Sequence, residues 1–214
     1  QSECIGPPHR RRYDQKIGNI MRPIRSIGLA VTALLVLSAC QAYNLAESGK
    51  SIELAKSFSM TPARDWNLAV NGKVQIWTIE GPILQRMQVF NGIEDGKPLV
   101  EALSADQDKK PPVFEASMTP IEIRDLFVAT IARVSQLNLE TGELRPEAVA
   151  DEAGFRFEYN YTDKNGVDKR GFVLATTRND RLYLFDYAAV ALYYYERYIN
   201  DAEQLVKSLS ASAA

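Results

Sequence analysis

The chain has 214 residues, 46% of them hydrophobic, with 25 Lys and Arg against 27 Asp and Glu, one His and two Cys. That length supports a compact domain with a real core, and the slightly acidic balance gives nucleic acid and anionic lipid surfaces no basic footprint to hold. Cys4 and His9 both precede the first methionine, Met21, so the remainder carries Cys40 alone and no histidine. It therefore has no disulfide framework, no His or second Cys for a nucleophile or Ser-His-Asp triad, and no zinc site built on those residues.

Gln1 to Ile20 read as an upstream extension outside the native protein, because the methionine comes only after them. From Met21 to Ala39 the order is that of a secretory signal peptide: basic Arg22 and Arg25, an apolar run from Ile27 to Leu37, then small Ser38 and Ala39. The run is far shorter than the roughly twenty residues that a membrane-spanning helix needs, so it is an export signal rather than a span. Leu37-Ser38-Ala39-Cys40 resembles the lipobox of bacterial lipoproteins. The resemblance implies that the Cys40 thiol is lipidated, by palmitate among other chains, and that Cys40 becomes the first mature residue.

The alternative is an ordinary signal peptide with a chance cysteine at its cleavage site. Stable anchoring takes more than one acyl chain. Gln41, rather than Asp, follows the cysteine, so in a Gram-negative cell the resemblance implies the outer membrane, facing the periplasm. Six of the 25 basic and two of the 27 acidic residues fall before Cys40, which leaves 19 against 25. Acyl chains rather than charge must then hold the protein at the membrane.

Cys40 to Ser59, polar with scattered aliphatics, is expected to be the lipidated N-terminus and a tether, with one helical turn around Ile52 to Lys56. Residues 60 to 214 are expected to form one domain. Trp66, Leu68 and Val70 alternate with Asn67 and Ala69, and Asn71-Gly72 suits a tight hairpin turn, so Trp66–Val70 should pair with Val74–Glu80. Ile83–Phe90 reads as a third strand before a turn-rich Asn91 to Pro98, and Glu101 to Pro112 as a charged surface loop.

Thr119-Pro120-Ile121-Glu122 supplies a capping Thr, a proline at the first helical position and a Glu three residues after the cap. Ile123, Leu126, Phe127, Thr130, Ile131 and Val134 then form one stripe of a helix that ends near Gln136. Three strands follow, Phe155–Thr162, Gly171–Arg178 and Leu182–Tyr187, joined by short links into a meander. Phe155, Phe157, Tyr159 and Tyr161 share a core face, which leaves Arg156, Glu158 and Asn160 on a wet one. The spacing of Tyr195, Ile199, Ala202, Val206 and Leu209 predicts a last helix over Glu196–Ser210. The order strands, helix, strands, helix predicts an α+β sandwich: an antiparallel sheet of about five to six strands with two main helices packed on it.

This order of elements, ending in "EQLVKSL", resembles the fold shared by photosystem II PsbP proteins and the Mog-type Ran-binding proteins, over roughly Ser57 to Leu209. PsbP-like proteins mostly act as assembly or binding partners of membrane complexes, and the resemblance implies a role of that kind. Locally, "WTIEGP", "FNGIEDGKPL", "MTPIEIRDLF", "FRFEYNY" and "LYLFDYAA" are similar to a group of short bacterial envelope lipoproteins with no established catalytic residues to transfer.

Six of the ten tyrosines lie between Tyr183 and Tyr198. Tyr193, Tyr194 and Tyr198 are the candidate partner-binding residues, since tyrosine gives large contact area with a polar tip; the alternative is that these rings fill the core. Glu80, Glu94, Asp95, Glu158 and Asp186 are the carboxylates from which a glycosidase-like pair would have to come. "ESGKS", Glu47 to Ser51, lacks the first glycine of a phosphate-binding loop, and Phe90 to Pro98 lacks calcium-loop spacing.

The expected function is a non-catalytic binding or assembly role in the cell envelope, with no cofactor and no metal. The membrane is engaged through the acyl chains on Cys40 and the partner is an envelope protein. Two alternatives are a carrier or sensor of a small apolar ligand, which needs an enclosed apolar cavity, and a carboxylate-based hydrolase of envelope glycans.

Overall fold

The computed structural model describes residues 43–54, 57–101 and 110–212. The upstream extension, the signal peptide and Cys40 lie outside these residues. The strands are β1 (Asn44–Ala46), β2 (Ile52–Leu54), β3 (Phe58–Met60), β4 (Trp66–Asn71), β5 (Val74–Thr78), β6 (Gln85–Glu94), β7 (Glu140–Thr141), β8 (Arg145–Pro146), β9 (Gly154–Thr162), β10 (Asp168–Arg178), β11 (Arg181–Val190) and β12 (Ser210–Ala211). Among the described residues, two α-helices, Pro120–Ser135 and Glu196–Lys207, complete the α+β fold.

Among the described residues, nine strands form one antiparallel sheet in the order β1-β4-β5-β6-β11-β10-β9-β7, with β8 also on β9, and β12-β3-β2 form a second of three strands. The sheet is therefore larger than the five to six strands expected. The difference lies in very short strands at its edges, two or three residues each, which have too few positions to show alternation. The stretch expected to be a tether contains three of the twelve: β1 pairs with β4, while β2 and β3 pair with each other and β3 with β12. Ile52–Leu54, expected to be helical, is strand.

The long elements follow their local chemistry. Gly72, at φ 58°, takes the first of the two turn positions between β4 and β5, the place where a II′-type turn wants glycine. β6 runs on to Glu94 through the segment expected to be turns. Asn91 and Gly92 oppose Tyr183 alone, a bulge made possible by Gly92 at φ 67°. A side chain at that glycine would meet the Tyr183 hydroxyl at 3.1 Å. The first helix carries the full capping box: Thr119 accepts from the Glu122 N–H and the Glu122 carboxylate accepts from the Thr119 N–H at 2.7 Å.

The two helices cover opposite faces of the sheet. Ile123, Leu126 and Phe127 of the capped helix pack on Phe155, Phe157, Tyr159, Val173 and Leu184. Tyr198, Ala202, Leu205 and Val206 of the C-terminal helix, with Leu54, Phe58 and Met60 of the small sheet, pack on Trp77, Met87, Phe172, Leu174, Phe185 and Tyr187. The face of β9 expected to be wet is thus partly covered. Arg156 is 4% exposed, its guanidinium 3.7 Å from the centre of the Phe172 ring and bonded to Glu203 of the C-terminal helix at 2.6 and 3.1 Å. Because β10 and β11 are covered on both sides, Leu182 to Ala189 are all buried. Val134, expected in the buried stripe of the first helix, is 42% exposed; the face that packs on the sheet buries Ile123, Leu126, Phe127 and Thr130, and Val134 falls outside it.

Candidate functional site

β11 does not run straight into the C-terminal helix. Val190 is tied to the carbonyl of Leu84 at 2.9 Å, and the segment Ala191–Tyr195 then turns irregularly, with Leu192 at φ −75°, ψ 116° and Tyr193 at φ 76°, ψ −56°. The Tyr193 angles are those of the positive-φ γ-turn, a rare and strained conformation for a residue with a side chain. Such strain persists only where the surroundings impose it.

The surroundings here are explicit. Arg197 donates to the Tyr193 hydroxyl and, at 2.9 Å, to the Tyr198 hydroxyl, lies over both rings, and reaches Glu80 at 4.0 Å. Tyr193 meets Tyr194 edge-on at 5.1 Å between ring centres. The turn is a knuckle clamped by one arginine. It holds Leu192 84% exposed and Tyr193 56% exposed, and Ile83, at the same end of the sheet, is 78% exposed. Apolar side chains presented this openly by a braced turn, with Arg197 and Glu80 at the margin, have the composition of an interface centre inside a polar rim.

The three candidate tyrosines separate. Tyr193 lies on the knuckle, Tyr194 is half-buried against the core, and Tyr198 is 2% exposed within the core. Tyr198 is therefore not a surface residue; it sits on the helix face that packs against the sheet. Tyr183, Tyr187 and Tyr195 are buried as well. Leu192 and Ile83 were not legible as site residues. Leu192, Tyr195 and Ile199 stand at three- and four-residue spacing, which in a continuous helix would turn Leu192 inward; the break at Tyr193 turns it out.

A second polar group lies on the other face, under the end of the capped helix. Asp186 is 1% exposed and accepts a hydrogen bond from Tyr159, itself 3% exposed, while Tyr161 stacks on Tyr159 at 6.1 Å. Burial works against the charge of Arg86, but the Asp186 carboxylate with Tyr159 and Tyr161 outweighs it and holds the guanidinium above its ordinary value. Burial lifts the Asp186 carboxyl above the usual range, with Arg86 and Tyr159 pulling it back. The cavity beside these groups is about 30 Å³, room for a water or two rather than for an organic ligand.

The five candidate carboxylates have separate partners. Glu94 pairs with Lys73 and Arg181, Asp95 accepts the Ala116 N–H at 2.8 Å, Glu158 approaches Arg145 and Arg156, Glu80 approaches Arg197, and Asp186 is enclosed with Tyr159. Lys50 of "ESGKS" pairs with Glu47 at 2.7 Å. Among the described residues no three His, Cys, Asp or Glu side chains group as a metal site, and no helix is long and apolar enough to cross a membrane.

A bulged antiparallel sheet with a capped helix on one face and a C-terminal helix on the other defines an α+β protein of PsbP-like fold. The solution structure of cyanobacterial PsbP, CyanoP, from Synechocystis aligns over 81% of this chain and 95% of its own, with a TM-score of 0.52 and 13% identity. A Bacteroides thetaiotaomicron protein aligns over 78% of this chain and 49% of its own (TM-score 0.46, 11% identity). LpqN, described as involved in cell envelope biogenesis of Mycobacterium tuberculosis, aligns over 82% and 87% (TM-score 0.36, 5% identity). At these identities the likeness to CyanoP speaks for the fold alone, and the other two are too distant to carry an argument. No protein-family model and no curated protein matches the sequence.

Proposed function

We propose that this is a non-catalytic, lipid-anchored protein of the cell envelope, held through acyl chains on Cys40 at the outer membrane facing the periplasm, which binds an envelope protein through its Leu192–Tyr193 knuckle. The observation that carries the reading is the braced, strained turn that keeps Leu192 and Tyr193 exposed beside Ile83. A residue such as Leu192 loses little by burial in a partner's pocket and gains about 1.5–3 kcal/mol of apolar transfer. The preformed turn keeps the ordering cost of binding small. The signal layout that ends in Leu37-Ser38-Ala39-Cys40 supports the anchor.

The carrier alternative has less support, because the interior is occupied by large side chains under 2% exposed, Trp66, Trp77, Phe127 and Phe185 among them. Cross-linking in intact cells, with captured proteins identified by mass spectrometry, tests the partner reading. Wild type should capture one dominant envelope protein, and Leu192→Ser with Ile83→Ser should lose it while the protein stays folded and membrane-bound. Equal capture by wild type and variant would sink the assignment of the surface. Cys40→Ala tests the anchor separately: a variant still processed and still found in the membrane fraction would contradict lipidation.

A further inference from the structure

The fold begins almost at the lipidated cysteine. β1 pairs with β4 from Asn44, opposite Leu68, to Ala46, opposite Trp66. Three residues lead from Cys40 to Tyr43. An extended chain covers at most about 3.6 Å per residue, so Tyr43 stands within about 11 Å of the cysteine. A protein acylated at Cys40 therefore has no slack, and the first edge of its sheet is held at the bilayer surface.

That edge is bare on one face. Leu45, 61% exposed, stands opposite Asn67. Tyr43, 37% exposed, lies two residues earlier, and the same register carried on sets it beside Ala69, whose other neighbour is the half-buried Ile76 of β5. Side chains alternate along a strand, so Ala46, Leu68 and Val70 point to the other face. There Ala46, Trp66 and Leu68 pack with Leu54, Phe58 and Met60 of the small sheet. On the Leu45 face, the apolar cluster under the capped helix takes no residue of β1 or β4 among those described.

Lipid fits this edge better than a charged partner does. Glu47 pairs with Lys50 at 2.7 Å and Asp65 accepts the Ser48 N–H at 2.8 Å, so the nearby charges are already engaged. Tyrosine, apolar with a polar tip, suits the headgroup level, and a leucine beside it reaches the acyl boundary. So small a patch would not hold a free protein on a membrane, but the anchor makes the contact intramolecular. We propose that the Tyr43–Leu45 face of β1 docks on the bilayer that holds the acyl chains, an inference that rests on the lipid anchor at Cys40. β1 runs antiparallel to β4, so the chain enters at the end of the sheet where β4 and β5 turn. Ile83 and the knuckle lie at the opposite end, beyond the five residues of β5, or roughly 17 Å. Docking thus turns the partner surface away from the lipid.

The test uses the mature lipoprotein in phosphatidylcholine vesicles that contain a shallow doxyl-labelled lipid as quencher. An environment-sensitive fluorophore is attached to a cysteine introduced by Leu45→Cys or, on the other face of the same end of the sheet, by Val70→Cys; both positions are exposed. With Cys40 acylated, the new thiol is the only one free to react. The label at position 45 should shift to the blue and lose most of its emission to the quencher, while the label at position 70 keeps most of its own. Raised salt should change neither, because the contact is apolar, and Tyr43→Ser should restore part of the emission at 45. Flotation of the same vesicles reads the anchor by itself. Protein that floats with no quenching at 45, with equal quenching at both positions, or with quenching abolished by salt overturns the docking and leaves the anchor standing. Protein that does not float overturns the anchor, and the docking falls with it.

Discussion

Arg156 is the group whose environment makes the sharpest energetic statement. Its guanidinium reaches Glu203 at 2.6 and 3.1 Å, Glu147 at 3.5 Å and Glu158 at 3.9 Å, and rests on Phe172, yet its Nε finds no partner. The arginine is buried, whereas the Glu203 side chain is 23% exposed. Removing one partner of a buried ion pair costs about 3–5 kcal/mol when it strands the other charge. In Glu203→Ala the stranded charge is the arginine, which Glu147 and Glu158 compensate in part, so a loss of about 2–3 kcal/mol is expected.

In Arg156→Met the stranded groups are carboxylates that can turn to water, the methionine keeps much of the apolar stem, and the unpaired Nε disappears; the loss should stay near 1 kcal/mol. At roughly 2–4 °C per kcal/mol for a domain of this size, Glu203→Ala should lower Tm by about 4–12 °C and Arg156→Met by about half of that or less. The double variant should be more stable than Glu203→Ala alone, because the charge that the first change strands is gone. Thermal and urea unfolding of the three variants measure this. Arg156→Met as damaging as Glu203→Ala, or strict additivity in the double variant, would refute the reasoning.

Three further outcomes follow from other parts of the fold. Because burial raises the Asp186 carboxyl, the native state holds that proton more tightly than the unfolded chain, and this group makes stability fall as pH rises from about 4 through its raised native value. The stability of wild type minus Asp186→Asn should therefore decrease over that range, and unfolding curves giving a flat or rising difference would contradict the burial account. Thr119→Ala removes the capping box and should cost about 1 kcal/mol by urea unfolding, with helix content at 222 nm otherwise kept. Gly171→Ala would drive its methyl into the Tyr187 carbonyl and the Tyr159 ring, and overpacking of this kind costs about 1–3 kcal/mol; an unchanged midpoint would show that β10 and β11 can separate freely there.

Local chemistry made the long elements readable. Thr119, Pro120 and Glu122 mark a helix start by satisfying its free N–H groups, and the alternation from Phe155 to Tyr161 marks a strand face, without reference to anything distant. What covers a face is a different matter. The same alternation puts Arg156 opposite the phenylalanines, but only the return of Glu203, 47 positions later, shows that the arginine is buried. β2 and β3 pair locally but have three residues each, too few to show alternation, and the other neighbour of β3 is the distant β12, with Ser59 against Ser210.

The bulge at Gly92 resembled a turn because its two residues oppose one on a neighbouring strand that comes much later in the chain. At the candidate site the tyrosine cluster pointed to the right stretch but overstated it. Three- and four-residue spacing assigns Leu192 to the core, and the backbone break at Tyr193, which reverses that, has no compositional mark.

Site-specific photo-cross-linking in intact cells tests the central claim most directly, with the photoreactive residue placed at Leu192 and, as a control, at Val134 on the exposed side of the capped helix. The account predicts one dominant envelope protein captured from position 192, none from position 134, and loss of the product when Ile83→Ser is added. Equal products from both positions, or none from position 192, would contradict it.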